Sequence, residues 1–178
     1  GLVPFGLDAP GLLDPIRSAV AEAHEDALAL ARGFGAAVLR TTLPPPGDVP
    51  PATFVEVTAL AKALSRAAKA ANVTVVIAAE PGTLAEDLAE LKHAVKDVDS
   101  AWFRAAPNAA EAGAPGPKDR YPAFVATTAD DAAAVADRAS RSWLILDAGA
   151  ENGRWELVRD AIEALQRADA ERRLVAKR

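Results

Sequence analysis

Residues 73–82, VTVVIAAEPG, constrain this chain more than any other stretch. Val73 to Ala79 are apolar or β-branched with no charge, the pattern of a strand covered on both faces, as in a parallel sheet. Glu80, Pro81 and Gly82 stop it. Thr83 followed by Glu86 has the spacing of a capping box, in which side chains satisfy two amides at a helix start. A strand, a tight turn and a capped helix make half of a βαβ unit. Ligands of parallel sheets lie at the C-terminal ends of the strands, so Glu80 stands where chemistry is expected.

The same alternation runs through the chain. Residues 2–5 read as a short strand and 6–11 as a loop. Asp14 and Pro15 open a helix whose stripe is Ile16, Val20, Ala23, Ala27, Leu30 and Ala31, ended by Gly33. Residues 36–39 form a second strand that closes with Arg40, Thr41 and Thr42. Thr53 and Glu56 suggest another capping box before the stripe Val57, Leu60, Ala61, Leu64, Ala68 and Ala71. Beyond the central strand, Leu84, Leu88, Leu91 and Val95 mark a helix that ends near Asp97. Strands follow at 101–104, 121–126 and 143–146, with Pro122 tolerated near a strand start. Thr128 caps a helix over 130–139, and Trp155, Val158, Ala161, Ile162 and Leu165 mark the last one. Residues 105–120 are rich in Ala, Pro and Gly without periodicity, the mark of a functional loop, a mobile one or a lost element.

The fold class is therefore α/β with parallel (β/α) units. At 178 residues and 51% hydrophobic the chain can bury a core as a single domain over 1–178. A net charge of −5 and a pI near 5.1 argue against nucleic acid as a partner. Residues 171–178 end basic and read as a frayed, solvated tail. No apolar run approaches the roughly 20 residues of a membrane span. Cysteine is absent, which removes thiolate chemistry and Cys-based zinc sites, and two histidines make no His-rich site. With no signal peptide visible, a cytoplasmic location is expected.

Residues 27–40, the helix that follows them and VTVVIAAEPGT resemble the xylose isomerase-like TIM barrels, which include sugar and sugar-phosphate isomerases and epimerases. The likeness extends to the strand at 143–147. It implies a partial or degenerate barrel lacking the first two βα units, with an open doubly wound sheet as the alternative. It also implies a divalent cation such as Mg²⁺ or Mn²⁺, held by carboxylates and histidines at strand ends. Here the pattern departs. The expected strand-end carboxylate falls on Ala78, with Glu80 two residues later. Residues 104–109, RAAPNA, supply neither the Asp nor the His that would follow the next strand, and Ala126, Thr127 and Thr128 stand where a His and an Asp would be. Asp147 matches a carboxylate position.

Parallel strands would gather Arg40, Thr42, Glu80, Arg104, Asn108, Thr128 and Asp147 at one rim. Arg40 and Arg104, with Thr42, Asn108 and Thr128, would suit a phosphate, carboxylate or carbohydrate ligand. Glu80 and Asp147 would act as an acid/base pair or a hard-cation site, or else as ion-pair partners of Arg40 or Arg104. Arg40 and Glu80, ending adjacent strands, would lie within reach of each other. The implied activity is that of a sugar or sugar-phosphate isomerase or epimerase; the alternative is a non-catalytic binding or assembly module. An incomplete barrel has open strand edges, so a homodimer is expected. His24 is expected at a packing edge, His93 in solvent, and Trp102, Trp143 and Trp155 in the core.

Overall fold

The computed structural model describes residues 6–9, 12–13, 21–46, 52–111, 121–135, 142–147 and 154–175. The chain gathers into two compact units, Gly1–Ala106 and Pro107–Arg178. In the first, β1 (Gly6–Asp8), α1 (Ala21–Gly33), β2 (Val38–Thr41), α2 (Ala52–Ala71), β3 (Thr74–Ala78), α3 (Leu88–Val98) and β4 (Phe103–Ala106) alternate. The four strands form one parallel sheet in the order β1-β2-β3-β4. The second unit carries β5 (Ala123–Ala126), α4 (Ala129–Ala134), β6 (Trp143–Leu146) and α5 (Arg154–Val175), with β5 and β6 parallel. The expectation of parallel β/α units holds.

Each helix of the first unit ends in a left-handed residue that turns the chain into the next strand. After α1, Gly35 has φ +70°, its N–H donates to the Arg32 carbonyl and the Ala36 N–H to the Ala31 carbonyl at 2.8 Å. That paired return is the Schellman arrangement, which satisfies carbonyls the helix leaves open. Asn72, at φ 57°, closes α2 in the same way, with Val73 N–H donating to the Ala68 carbonyl. Asp99, at φ 50°, closes α3 through a single bond to the Val95 carbonyl. Asn and Asp tolerate this conformation because short polar side chains can bond locally.

Alternation along the strands separates two sheet faces. One carries Leu39, Thr41, Val75, Ile77, Phe103 and Ala105, all at 5% exposure or less. The helices bury their own apolar stripes, among them Leu28 and Ala31 of α1, Val57, Ala61 and Leu64 of α2, and Leu91, Ala94 and Val98 of α3. The second unit has a smaller core of Ala109, Phe124, Ala126, Ala132, Val135 and Ala161, lined by Tyr121, Leu144 and Leu146.

Several boundaries differ from the sequence expectation. A strand lies at Gly6–Asp8, inside the expected loop; residues 2–5 fall outside the described residues, as do Asp14, Pro15, Ile16 and Val20. Gly6 and Asp8 are poor strand formers, so pairing with β2 decides the local conformation. β2 runs through Arg40 to Thr41 rather than ending at Leu39. α2 has already begun at Ala52, so Thr53 lies within its first turn rather than before it. Thr83 is no helix cap. α3 starts five residues later, where Asp87 Oδ1 accepts from the Glu90 N–H at 2.9 Å. The expected tail at 171–178 is helical as far as Val175. Trp143, expected in the core, is 40% exposed at the start of β6.

His24 is buried, with Nε2 2.8 Å from the Leu12 carbonyl, and donates to it. His93 is exposed, 3.4 Å from Asp97 one turn on. Among the described residues no helix is long and apolar enough to cross a membrane.

Candidate functional site

The register of the first sheet lines up a charged row. Asp8 pairs with Arg40, Arg40 with Val76, and Val76 with Arg104. Paired residues of neighbouring parallel strands share a face, so Asp8, Arg40 and Arg104 point to one side, with Val76 between the two arginines. Strands lie about 4.8 Å apart, which sets the arginine backbones about 10 Å from each other. Asp8, Arg40 and Arg104 are the charged side chains of this sheet's strands. Arg40 Nη1 lies 3.7 Å from Asp8 Oδ2, with the guanidinium side chain 13% exposed and the carboxylate side chain 58% exposed. That separation is longer than the roughly 2.8 Å of a charge-assisted hydrogen bond. Arg104 is half-buried. One level closer to the strand ends, the same face carries the paired Ala78 and Ala106, so β3 and β4 raise nothing larger than a methyl group over the row.

Glu80 stands apart from this row. Val76 is the partner of Arg40, and Glu80 lies four residues further along, about 13 Å at the rise of a parallel strand. Arg40 and Glu80 therefore do not share a level, contrary to the sequence expectation, because β2 continues beyond Arg40. Glu80 is exposed at the mouth of a turn: its carbonyl accepts from Thr83 Oγ1 at 2.7 Å and its N–H donates to the Ala85 carbonyl at 3.1 Å. Gly82, at φ +78°, makes that turn, and its N–H donates to Glu86 Oε1. Thr42 is half-buried just past β2.

In the second unit, Asn108 bridges Val125, held by Ala109 N–H to the Val125 carbonyl at 2.7 Å and Val125 N–H to the Pro107 carbonyl at 3.0 Å. Thr128 caps α4: its hydroxyl accepts from the Asp131 N–H, while Asp131 Oδ2 accepts from the Thr128 N–H and from Thr127 Oγ1, each at 3.1 Å. Burial pushes the Asp131 carboxyl up, but these hydrogen bonds outweigh it and hold the group below the usual carboxylate range. Asp147 is half-buried directly after β6, its N–H donating to the Ala126 carbonyl at 2.9 Å. Tyr121 meets Phe124 edge-on with ring centres 5.8 Å apart.

No protein-family model matches the chain, and no curated protein matches it in sequence. Solved structures match in shape. An L-ribulose 3-epimerase superposes with a TM-score of 0.67 at 14% identity, over 96% of this chain and 77% of that one. A xylose isomerase-like TIM barrel protein from Mycobacterium smegmatis, in complex with magnesium, superposes with a TM-score of 0.65 at 11% identity, over 93% and 75%. This chain shares their fold. Fold at this identity carries no activity with it.

The cation that the resemblance implies can be tested against the side chains present. β3, β4 and β5 end in Ala78, Ala106 and Ala126, and among the described residues no three His, Cys, Asp or Glu side chains come together in a group able to hold a metal ion. A hard cation asks for several oxygen ligands. The described residues do not fit one.

Asp8 is the site residue the sequence reading missed. A lone Asp after Gly6 and Leu7 carries no strand signal, and only its pairing with Arg40 reveals it.

Proposed function

We propose that this chain is a sugar or sugar-phosphate isomerase- or epimerase-like domain that binds a small anionic or polyhydroxylated ligand at the C-terminal side of its parallel strands. The observation that carries the proposal is the placement of Arg40 and Arg104 on one face of the sheet, either side of Val76. Guanidinium groups offer planar, fixed donors that match carboxylate and phosphate oxygens. Thr42 adds a hydroxyl beside the row. In the second unit, taken by itself, Asn108 and Thr128 are the polar groups proposed to meet a ligand, Thr128 through its hydroxyl hydrogen, since the α4 cap uses the oxygen as acceptor. The carboxylates the reading offers for proton transfer are Glu80 and Asp147, each at the C-terminal end of its own unit's strands.

The test is calorimetric titration of a pentose phosphate and of the free pentose. The phosphorylated sugar is expected to bind more tightly, and Arg40→Ala and Arg104→Ala should each weaken it. Equal affinity for the two sugars, undisturbed by either substitution, would remove the assignment.

A non-catalytic binding module on the same scaffold is the second reading, favoured by Ala78 at the position where the resemblance expects a carboxylate. NMR in D₂O separates the two: deuterium entering the carbon beside the carbonyl of a bound ketose marks retained proton transfer, and a bound ketose that stays unlabelled marks a binding module. A second copy of the chain pairing at an open strand edge belongs to the proposal as well. A clean monomer in light scattering at micromolar concentration would count against that part.

A further inference from the structure

We infer that Thr83 is a positioning residue for Glu80, its hydroxyl fixing the stretch of backbone from which the Glu80 carboxylate reaches the ligand. The inference rests on the proton-transfer role proposed above for Glu80 and specifies how that residue is held. Four acidic residues, Glu80, Glu86, Asp87 and Glu90, lie between 80 and 90, and three of their carboxylates are committed to backbone amides. Glu86 Oε1 accepts from the Gly82 N–H at 3.1 Å, Asp87 Oδ1 from the Glu90 N–H at 2.9 Å, and Glu90 Oε2 from the Glu86 N–H at 2.7 Å. These three shape the turn or cap the start of α3. Among the described residues Glu80 is the one of the four whose carboxylate holds no amide, and it is exposed.

The backbone of Glu80, by contrast, is tied on both sides. Its N–H donates to the Ala85 carbonyl at 3.1 Å, and its carbonyl accepts from the Thr83 N–H at 3.2 Å and from the Thr83 hydroxyl at 2.7 Å. The Thr83 oxygen in turn accepts from the Ala85 N–H at 3.3 Å, and the Ala85 carbonyl, at 3.2 Å, is the more distant acceptor for its one hydrogen. The hydroxyl thus joins Glu80 to Ala85, which is fully buried, and the Leu84 N–H pins the same turn to the Pro44 carbonyl at 2.9 Å. A general base works only within hydrogen-bond reach of the proton it removes, and a displacement of about 1 Å is costly. In the step itself a Glu80 oxygen takes the proton from the carbon beside a ketose carbonyl, and the C–H electron pair passes to the carbonyl oxygen as an enolate. The carboxyl then returns a proton to carbon as that pair moves back.

The probe is a free ketopentose in D₂O, with deuterium entering the carbon beside the carbonyl followed by NMR over a range of sugar concentrations. Glu80→Gln should slow labelling by the full chain roughly a hundredfold or more. Thr83→Val should lower kcat roughly tenfold while KM stays within about twofold, the mark of lost alignment rather than lost binding. Thr83→Ser, which keeps the hydroxyl, should restore most of the rate. Thr83→Val labelling as fast as wild type, or altered in KM alone, overturns the inference, and a slow Glu80→Gln beside it leaves the proton-transfer reading in place. Thr83→Ser as slow as Thr83→Val overturns it in the same way. No labelling by wild type, or labelling that Glu80→Gln leaves unchanged, removes the role of Glu80 and the inference with it. Circular dichroism checks the folding of each variant, and Thr83→Ala makes the same comparison where Thr83→Val does not fold.

Discussion

Arg40 and Glu80 occupy different levels of neighbouring strands: Arg40 pairs with Val76, and Glu80 comes four residues later, in the turn made by Gly82. The two side chains therefore answer to different tests. Glu80→Gln should leave phosphate affinity and unfolding free energy within about 0.5 kcal/mol of wild type, as for an exposed residue outside the packed sheet. Loss of phosphate binding in this variant would place Glu80 in the anion site and contradict the register argument. Activity toward a ketose, where present, should fall.

Thr128 and Asp131 exchange hydrogen bonds at the start of α4. Thr128→Ala is expected to cost about 1 kcal/mol in urea denaturation, the usual effect of losing an N-cap side chain. No change in midpoint would mean that α4 contributes nothing to the cooperative unit.

The same pair predicts a pH effect. The Asp131 carboxyl is held below its ordinary range in the folded chain. A depressed folded value means that the ionised group stabilises the fold above the unfolded value, and that this contribution is lost as pH falls through the folded value. Asp131→Asn should thus lose less stability than wild type between neutral and acid pH. Parallel urea midpoints across that range for the two proteins would remove the assignment.

His24 is buried and donates to the Leu12 carbonyl. His24→Leu keeps the bulk but strands that carbonyl, which costs about 1 to 3 kcal/mol when a buried group loses its partner. Denaturant unfolding measures it, and a value near zero would show that water reaches Leu12 once the imidazole is gone.

Gly82 has open space around its missing Cβ but a φ of +78°. Gly82→Ala should therefore destabilise through backbone conformation alone, by roughly 1 to 2 kcal/mol. An unchanged melting temperature would indicate that the turn relaxes to a different conformation.

The elements with a strong periodic signal were legible from residues alone. β3 needed only its uncharged β-branched run, and β6 was placed at its four residues, because nothing polar interrupts Trp143 to Leu146. Levels along the sheet were harder. Arg40 and Thr41 look like a strand end, yet they pair with Val76 and Ile77, so the site's charged row sits deeper than its polarity suggests. Thr83 and Glu86 have capping spacing, but the Gly82 turn recruits both, and Asp87 takes the helix start. Exposure was least legible: whether Trp143 is covered depends on which strand lies beside β6, and its own sequence does not say. Asp8 was invisible for the same reason, since a three-residue strand exists only through its neighbour.

Every strand of the first sheet is bonded to the one that follows it in the chain, from β1 to β4. In kinetic terms, each pairing closes only the one helical segment between its two strands, and loop-closure cost grows slowly with length. The sheet can then grow as a row of similar steps, none of which waits for a distant part of the chain. A lesion in β1 should leave the β3 and β4 ladder able to form. Hydrogen exchange would show this as protection that fades strand by strand from the damaged edge; uniform loss across all four strands would mean that the sheet folds in one step.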